Sequence, residues 1–441
     1  MTAPAPKPAL AGPAGSMLLI EENHDLPLVR FQLALRAGAG DDPAERDGLC
    51  NFATELMGRG AAGRTRAAID EAFDALGTSL DVMSDYDGVT WDVTVLPEKL
   101  ESALALFADV ILRPEFPRDE ADKLKREIAA QLDELRDDDG QLARRFFTRA
   151  LYGTHPYGRT VLGTDATLET IGVAEARGWH GHALHGGNIV FGVAGDVRSH
   201  DVEAAIARHF ADLPMGAASP GLRPQVERRR GLRLTVVDKP ERTQSQILWG
   251  QPAPRWHHPD FVALQVATTV FGGTFTARLM EEVRSKRGLS YGASARVGQG
   301  RGAKSLVAHV FPSLEQTAET LELVLDLWRG WVTEGVTDAE IDFAKSYLTK
   351  SFAFSVATPE DRLELRTALE LAGMPPDSAQ TYTTRVGKVT RAQAVTALAE
   401  HLTARDLEVV VVSTADELVP KLEAAGLTKD VTVEVVPFDS Y

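Results

Sequence analysis

Apolar and polar side chains alternate through Val29-Arg30-Phe31-Gln32-Leu33-Ala34-Leu35-Arg36, the period of a strand with one buried face. Residues 89–96 are similarly rich in β-formers. Between these runs, residues 48–57 and 66–76 carry helical spacing. Two long amphipathic helices are expected over 97–112 and 118–135, where Leu and Ala recur at intervals of three and four. Residues 188–195 return to strand and 202–213 to helix. Periodicity is then lost through the Pro, Gly, Ser and Arg of 214–231, and residues 232–237 open a fresh strand.

The second half of the chain resembles the first. Phe311-Pro312-Ser313-Leu314 opens a long helix as Leu96-Pro97-Glu98-Lys99 does, and Val336-Thr337-Asp338-Ala339-Glu340 introduces a second as Phe116-Pro117-Arg118-Asp119-Glu120 does. A chain of 441 residues exceeds the usual size of one hydrophobic core. The economical reading is a flexible arm over 1–15, an α+β domain over 16–213, a linker over 214–231 and a similar α+β domain over 232–441.

With 44% hydrophobic and 25% charged residues the composition is that of a soluble fold. No apolar run approaches the roughly 18 residues that span a bilayer, so a membrane partner is not expected. The net charge of −16 opposes a nucleic-acid surface, and Arg228-Arg229-Arg230 in the linker reads as a solvated run. The single cysteine excludes an internal disulfide framework. The opening Met-Thr-Ala-Pro-Ala-Pro-Lys-Pro-Ala-Leu has no apolar core of a signal peptide. Cytoplasmic residence is expected, a periplasmic one only if the sequence has been trimmed.

One segment carries a chemical frame. Gly48-Leu49-Cys50-Asn51-Phe52-Ala53-Thr54-Glu55-Leu56-Met57 resembles the inverted zinc motif of the pitrilysin (insulinase-type) peptidases, H-x-x-E-H within Gly-Leu-x-His-Phe-x-Glu-His-Met. In that family two His on one helical face bind zinc and the Glu activates its water. Here Asn51 and Glu55 stand at the His positions and Thr54 at the Glu. The family's third ligand, a Glu in the second long helix, falls on Gln131. With all four replaced, the resemblance implies no zinc in this chain.

Other pieces of the pattern persist. His155-Pro156-Tyr157-Gly158-Arg159, Asn188-Ile189-Val190 with Gly195-Asp196-Val197, and Phe271-Gly272-Gly273-Thr274-Phe275 with Ala277-Arg278-Leu279 are each similar to family segments. In Val283-Arg284-Ser285-Lys286-Arg287-Gly288-Leu289-Ser290-Tyr291-Gly292 the Arg and Tyr keep the family's separation of seven residues. In those enzymes the pair hydrogen-bonds the substrate backbone or the developing oxyanion. From the residues alone, Gly288 is a helix C-cap, Arg284 projects from the last turn, and Tyr291 starts a strand. A guanidinium fork and a phenol then face one point, as holding a carbonyl oxygen requires.

Plainer readings cover the remaining candidates. His180, His182 and His185 do not share a helical face, so they do not suggest a relocated metal site. Trp256-His257-His258 reads as a turn before a helix. Cys50 reads as a small buried hydrophobe. The acidic run 133–139 lacks the glycine-punctuated alternation of a calcium loop and reads as a solvated helix end.

The resemblance implies two homologous α+β domains, each a mostly antiparallel sheet with helices packed on one face, enclosing a cavity that holds extended peptide. It further implies a non-catalytic, substrate-binding subunit of a heterodimeric zinc metallopeptidase, like the inactive subunit of mitochondrial processing peptidase. This chain would supply Arg284 and Tyr291, and a homologous H-x-x-E-H-bearing partner would supply zinc and general base. A zinc-free scaffold protein and a stand-alone peptide-binding module are the alternatives.

Overall fold

The computed structural model describes residues 8–219 and 223–440, and no helix among them is long and apolar enough to cross a membrane. The architecture is α+β. Two compact units take their residues from both sides of the expected linker: Met1–Leu132, Arg159–Leu222 and Ala353–Gln380 in one, Asp133–Gly158, Arg223–Phe352 and Thr381–Tyr441 in the other. Part of that linker, residues 220–222, lies outside the described residues.

In the first unit six strands run in the spatial order Leu10–Ala11, Met17–Glu22, Ile189–Gly195, Val29–Leu35, Val89–Val95, Asp81–Ser84. All neighbours are antiparallel except Met17–Glu22 with Ile189–Gly195. The second half of the expected arm is therefore ordered, because Leu10 and Ala11 pair with Leu18 and Met17 at the sheet edge; residues 1–7 lie outside the described residues.

Alternation along the strands sends Phe31 and Phe191 to one face. There they meet Phe107 of the helix Leu100–Leu112, 4.9 Å from Phe31, and Phe210 beyond the helix Ser199–His209, 4.7 Å from Phe191. The opposite face presents small residues. Ala34, Val190 and Ala194 pack with Leu19 against Leu363 of the helix Pro359–Leu371, a segment that sequence order assigns to the other half.

The second unit mirrors this exchange. Its strands run Ser290–Val297, Ser305–Pro312, Gln246–Pro252, Glu408–Ser413, Arg233–Asp238, Thr432–Pro437, antiparallel over the first three pairs and parallel over the last two. Ile247, Trp249, Val409 and Val411 join Phe271, Trp328 and Trp331 in one core, where the Phe271 and Trp331 rings stack at 4.4 Å. Alternation leaves Leu248, Val410 and Val412 for the helix Asp139–Tyr152, which packs on these strands from the N-terminal half of the sequence. Both central strands are thus covered on two sides. This explains why Ile189–Gly195 and Glu408–Ser413 are buried throughout, the first reading as an unbroken apolar run and the second as four valines between Glu408 and Ser413.

Candidate functional site

The helix Leu49–Met57 starts at Gly48, whose φ of +93° and close approach to the Leu162 carbonyl oxygen, 2.7 Å from where a Cβ would stand, exclude any other residue. Asp42 anchors this start, its carboxylate accepting the Gly48 and Cys50 N–H groups at 3.1 and 3.0 Å. Burial pushes the Asp42 carboxyl up to about 8 and raises the thiol of the fully buried Cys50.

Along the helix, Asn51 is buried. Thr54 is turned inward: its hydroxyl reaches the carbonyl oxygens of Cys50 and Asn51 at 2.9 and 3.0 Å and Ser84 Oγ at 3.1 Å. Glu55 lines a cavity of about 310 Å³ with Arg59, Arg66, Ile69, Phe73 and Trp91. Burial raises its carboxyl. One turn on, the Arg59 side chain, 8% exposed, forks onto Glu127, with Nη1 at 3.1 Å from Oε1. Arg59 and Arg66 lie 3.7 and 3.6 Å from Glu120, and Arg66 lies 3.4 Å from Glu127. The Arg59 hydrogen bond holds the Glu127 carboxyl below its usual range. Gln131, one turn beyond Glu127 in the helix Arg118–Asp137, is exposed.

These residues do not fit zinc. No imidazole is offered, the Thr54 hydroxyl is engaged with its own helix and carries no base, and Gln131 supplies an amide for a carboxylate. Beside Glu55 stand two guanidiniums, already paired with the nearby acids, and a divalent cation would be repelled by both. Sequence reading missed Arg59, Arg66, Glu120 and Glu127; the only local signal was the spacing of Glu55 and Arg59 by one turn.

In the second unit the short helix Arg278–Met280 continues as a wide, π-helical turn over Glu281–Lys286, a geometry that recurs at functional sites. Gly288, at φ +64°, closes it. Its N–H reaches the Arg284 carbonyl at 3.0 Å and the Leu289 N–H reaches that of Val283 at 2.9 Å, so the expected C-cap is present and the strand Ser290–Val297 begins at once. Arg278 fixes the segment, forking onto Glu340 at 2.6 and 2.7 Å. Burial alone would raise that carboxyl, but the Arg278 and Thr337 hydrogen bonds bring it down to about 2.

Arg284 and Tyr291 come together. The guanidinium carbon lies 4.5 Å from the Tyr291 ring centroid and 4.9 Å from that of Phe275, so the cation stacks against two aromatic rings. Tyr291 is 77% and Phe275 64% exposed. Among the described residues no carboxylate pairs with Arg284, whereas Lys286 and Arg287 beside it are both held by Glu282. Phe275 was legible only as part of the Gly-Gly frame, with no sign that its ring faces Arg284. Elsewhere, His180 bonds the Ile111 carbonyl at 2.8 Å and its pKa is lowered by burial.

Residues 17–165 match the family model for insulinase (peptidase family M16), and residues 170–348 match that for the peptidase M16 inactive domain. An uncharacterised zinc protease of Mycobacterium leprae is 29% identical over 343 residues, covering 76% of each chain. The crystal structure of a peptidase M16 inactive domain from Pseudomonas fluorescens superposes with a TM-score of 0.85 at 27% identity, over 92% of this chain and 97% of that one. The periplasmic protease PqqL of Escherichia coli shares the fold, with a TM-score of 0.78 at 17% identity over 97% of this chain but 51% of its own length. Two matches to one family, laid end to end over a fold that reproduces a solved member, show that the chain belongs to the M16 peptidase family, as a non-catalytic member.

Proposed function

We propose that this chain is the substrate-binding, non-catalytic subunit of a heterodimeric zinc metallopeptidase acting on peptides. The observation that carries the reading is the Phe275–Arg284–Tyr291 stack: a guanidinium clamped by aromatic faces, with no carboxylate partner among the described residues, in a chain of net charge −16. Such a group has its N–H edges free for a ligand, and a scaffold has no need of it.

The Arg284 fork donates N–H groups to carbonyl oxygens of an extended peptide, holding the backbone in register. The Tyr291 O–H donates to the carbonyl oxygen on which negative charge develops. A homologous H-x-x-E-H-bearing partner supplies zinc and the general base, which Asn51, Thr54, Glu55 and Gln131 do not. PqqL supports this division, since its chain is about twice as long over the same fold and one such half implies a second. Affinity capture of the tagged chain from its native source, followed by mass spectrometry, is expected to recover an M16 relative that carries H-x-x-E-H. Recovery of this chain alone would overturn the heterodimer in favour of a stand-alone peptide-binding module.

A further inference from the structure

His258 and Asp260 stand in the turn that enters the helix Phe261–Gly272, and His401 is the last residue of the helix Arg391–His401. The two helices pack together and share one core through Leu264, Ala394 and Leu398. The start of one and the end of the other are therefore held at a fixed spacing. His401 Nε2 lies 2.9 Å and His258 Nδ1 3.6 Å from the same oxygen, Asp260 Oδ2. The two rings stand nearly perpendicular, at 82°, with centroids 4.7 Å apart. One donor atom from each of the three residues falls within 4.8 Å of the others, and among the described residues no second group of three His, Cys, Asp or Glu does so.

The protonation pattern is informative. The Asp260 N–H donates to His258 Nδ1 at 3.2 Å, so the neutral His258 ring carries its proton on Nε2 and its lone pair on Nδ1. A simple tie between helix ends needs only the His401–Asp260 hydrogen bond. His258 Nδ1 also faces the same carboxylate oxygen, and a cation seated between these two acceptors would take its lone pair in place of the long Asp260 N–H bond.

We propose that His258, Asp260 and His401 form a binding site for a late first-row divalent cation, zinc foremost, joining the start of one helix to the end of the other. Two imidazoles and a carboxylate are a ligand set zinc takes readily. A tetrahedral ion about 2.0–2.2 Å from each donor asks for donors roughly 3.3–3.6 Å apart, within reach of side-chain rotations from the observed spacing of 4.8 Å or less. The side chains are 39%, 36% and 16% exposed, which leaves room for water as fourth ligand. The site owes nothing to Thr54, Glu55 or Gln131, so it stands or falls apart from the reading of Arg284 and Tyr291.

The test is calorimetric titration of the full chain with zinc at neutral pH, after dialysis against a chelator. Wild type is expected to take up roughly one equivalent, with His258→Ala and His401→Ala each weakening binding by about tenfold or more. Glu55→Gln is expected to change nothing. Cobalt(II) as a probe should give visible absorption bands in wild type that are lost in both His variants. His258→Ala leaves the His401–Asp260 hydrogen bond intact, so a failure to fold does not confuse the outcome. Absence of uptake by wild type, or equal zinc affinity in wild type and His258→Ala, would overturn the three-ligand site.

Discussion

The region around Thr54 and Glu55 and the region around Arg284 and Tyr291 carry the two parts of one family pattern, yet they have been treated in opposite ways. In the first, the chemistry-bearing positions are substituted and the local cations are used up: Arg59 and Arg66 lie within 4 Å of Glu120 and Glu127, and the Thr54 hydroxyl is bonded into its own helix. In the second, no carboxylate among the described residues pairs with the cation, and two large aromatic rings remain in solvent. Closed ion pairs contribute to holding helices together, while an unpaired guanidinium between exposed rings contributes little to folding and is suited to a ligand. The contrast teaches that one part of the pattern has been closed off by ion pairs while the Arg284 and Tyr291 pair, to which we assign substrate binding, has stayed open.

The largest effect should come from breaking the open region. In a complex reconstituted with the zinc-bearing partner, Tyr291→Phe is expected to reduce kcat by roughly tenfold to a thousandfold, as removal of an oxyanion donor does. Arg284→Ala should lower kcat and raise KM together, and Arg284→Lys should rescue little, because a point charge does not reproduce the planar fork. Assembly, followed by size-exclusion chromatography, should be unchanged. Full steady-state activity with both groups removed would sink the substrate-binding role and leave a scaffold as the better reading.

The closed region should respond to pH through Asp42. Its carboxyl, ordinarily near 3.8, is raised to about 8 by burial, with the nearby Asp47 and Asp41 adding to the rise. The folded state keeps a proton that the unfolded chain has already lost. The stabilisation is therefore complete below about pH 4 and is lost as pH rises towards 8, at up to about 1.4 kcal/mol per pH unit. Denaturation midpoints at pH 6, 7 and 8 should fall in that order, with amide exchange at Gly48 and Cys50 rising in parallel. Asp42→Asn should flatten the trend; an unchanged slope in that variant would assign it to other groups, such as Glu408, which burial raises to about 7.

Arg59→Met should cost about 1–3 kcal/mol, less than a fully buried pair because the Glu127 side chain is 44% exposed and can turn to water. The same residue limits any attempt to rebuild the family site. Asn51→His, Thr54→Glu, Glu55→His and Gln131→Glu together should leave zinc content below one equivalent while Arg59 is present. Adding Arg59→Ala should raise it, measured by elemental analysis in a His401→Ala background. Stoichiometric zinc with Arg59 intact would show that the guanidinium is no barrier.

Much of this was legible in the sequence. The alternation at Val29–Leu35 and the spacing of Leu49–Met57 gave elements close to those observed, because each follows from one buried face and local geometry. The exchanged helices Asp139–Tyr152 and Pro359–Leu371 were not, since nothing local says which sheet a helix covers. The apolar runs of Ile189–Gly195 and of residues 409–412 were the only hint that those strands are covered twice. At the sites, Arg284 and Tyr291 were found through a seven-residue spacing, whereas Arg59 and Glu127 are 68 residues apart and meet only in the fold. Residues that act through tertiary contact leave no period to read.

The smallest expected effect separates the stack from its surroundings. Phe275 touches Arg284 by its ring face alone, and a cation–π contact at an exposed site is worth about 0.5–1 kcal/mol. Phe275→Leu keeps an apolar side chain but removes that contact, so the guanidinium gains freedom without losing its fork. The expected result is a rise in KM of about twofold to fivefold with kcat nearly constant, since holding the ground-state backbone suffers more than donation by Tyr291. Arg287→Ala, three residues from Arg284 and already paired with Glu282, is the control and should behave as wild type. Equal rises in KM for both variants would mean that general positive charge steers the peptide, and the stack itself would lose its claim to position Arg284.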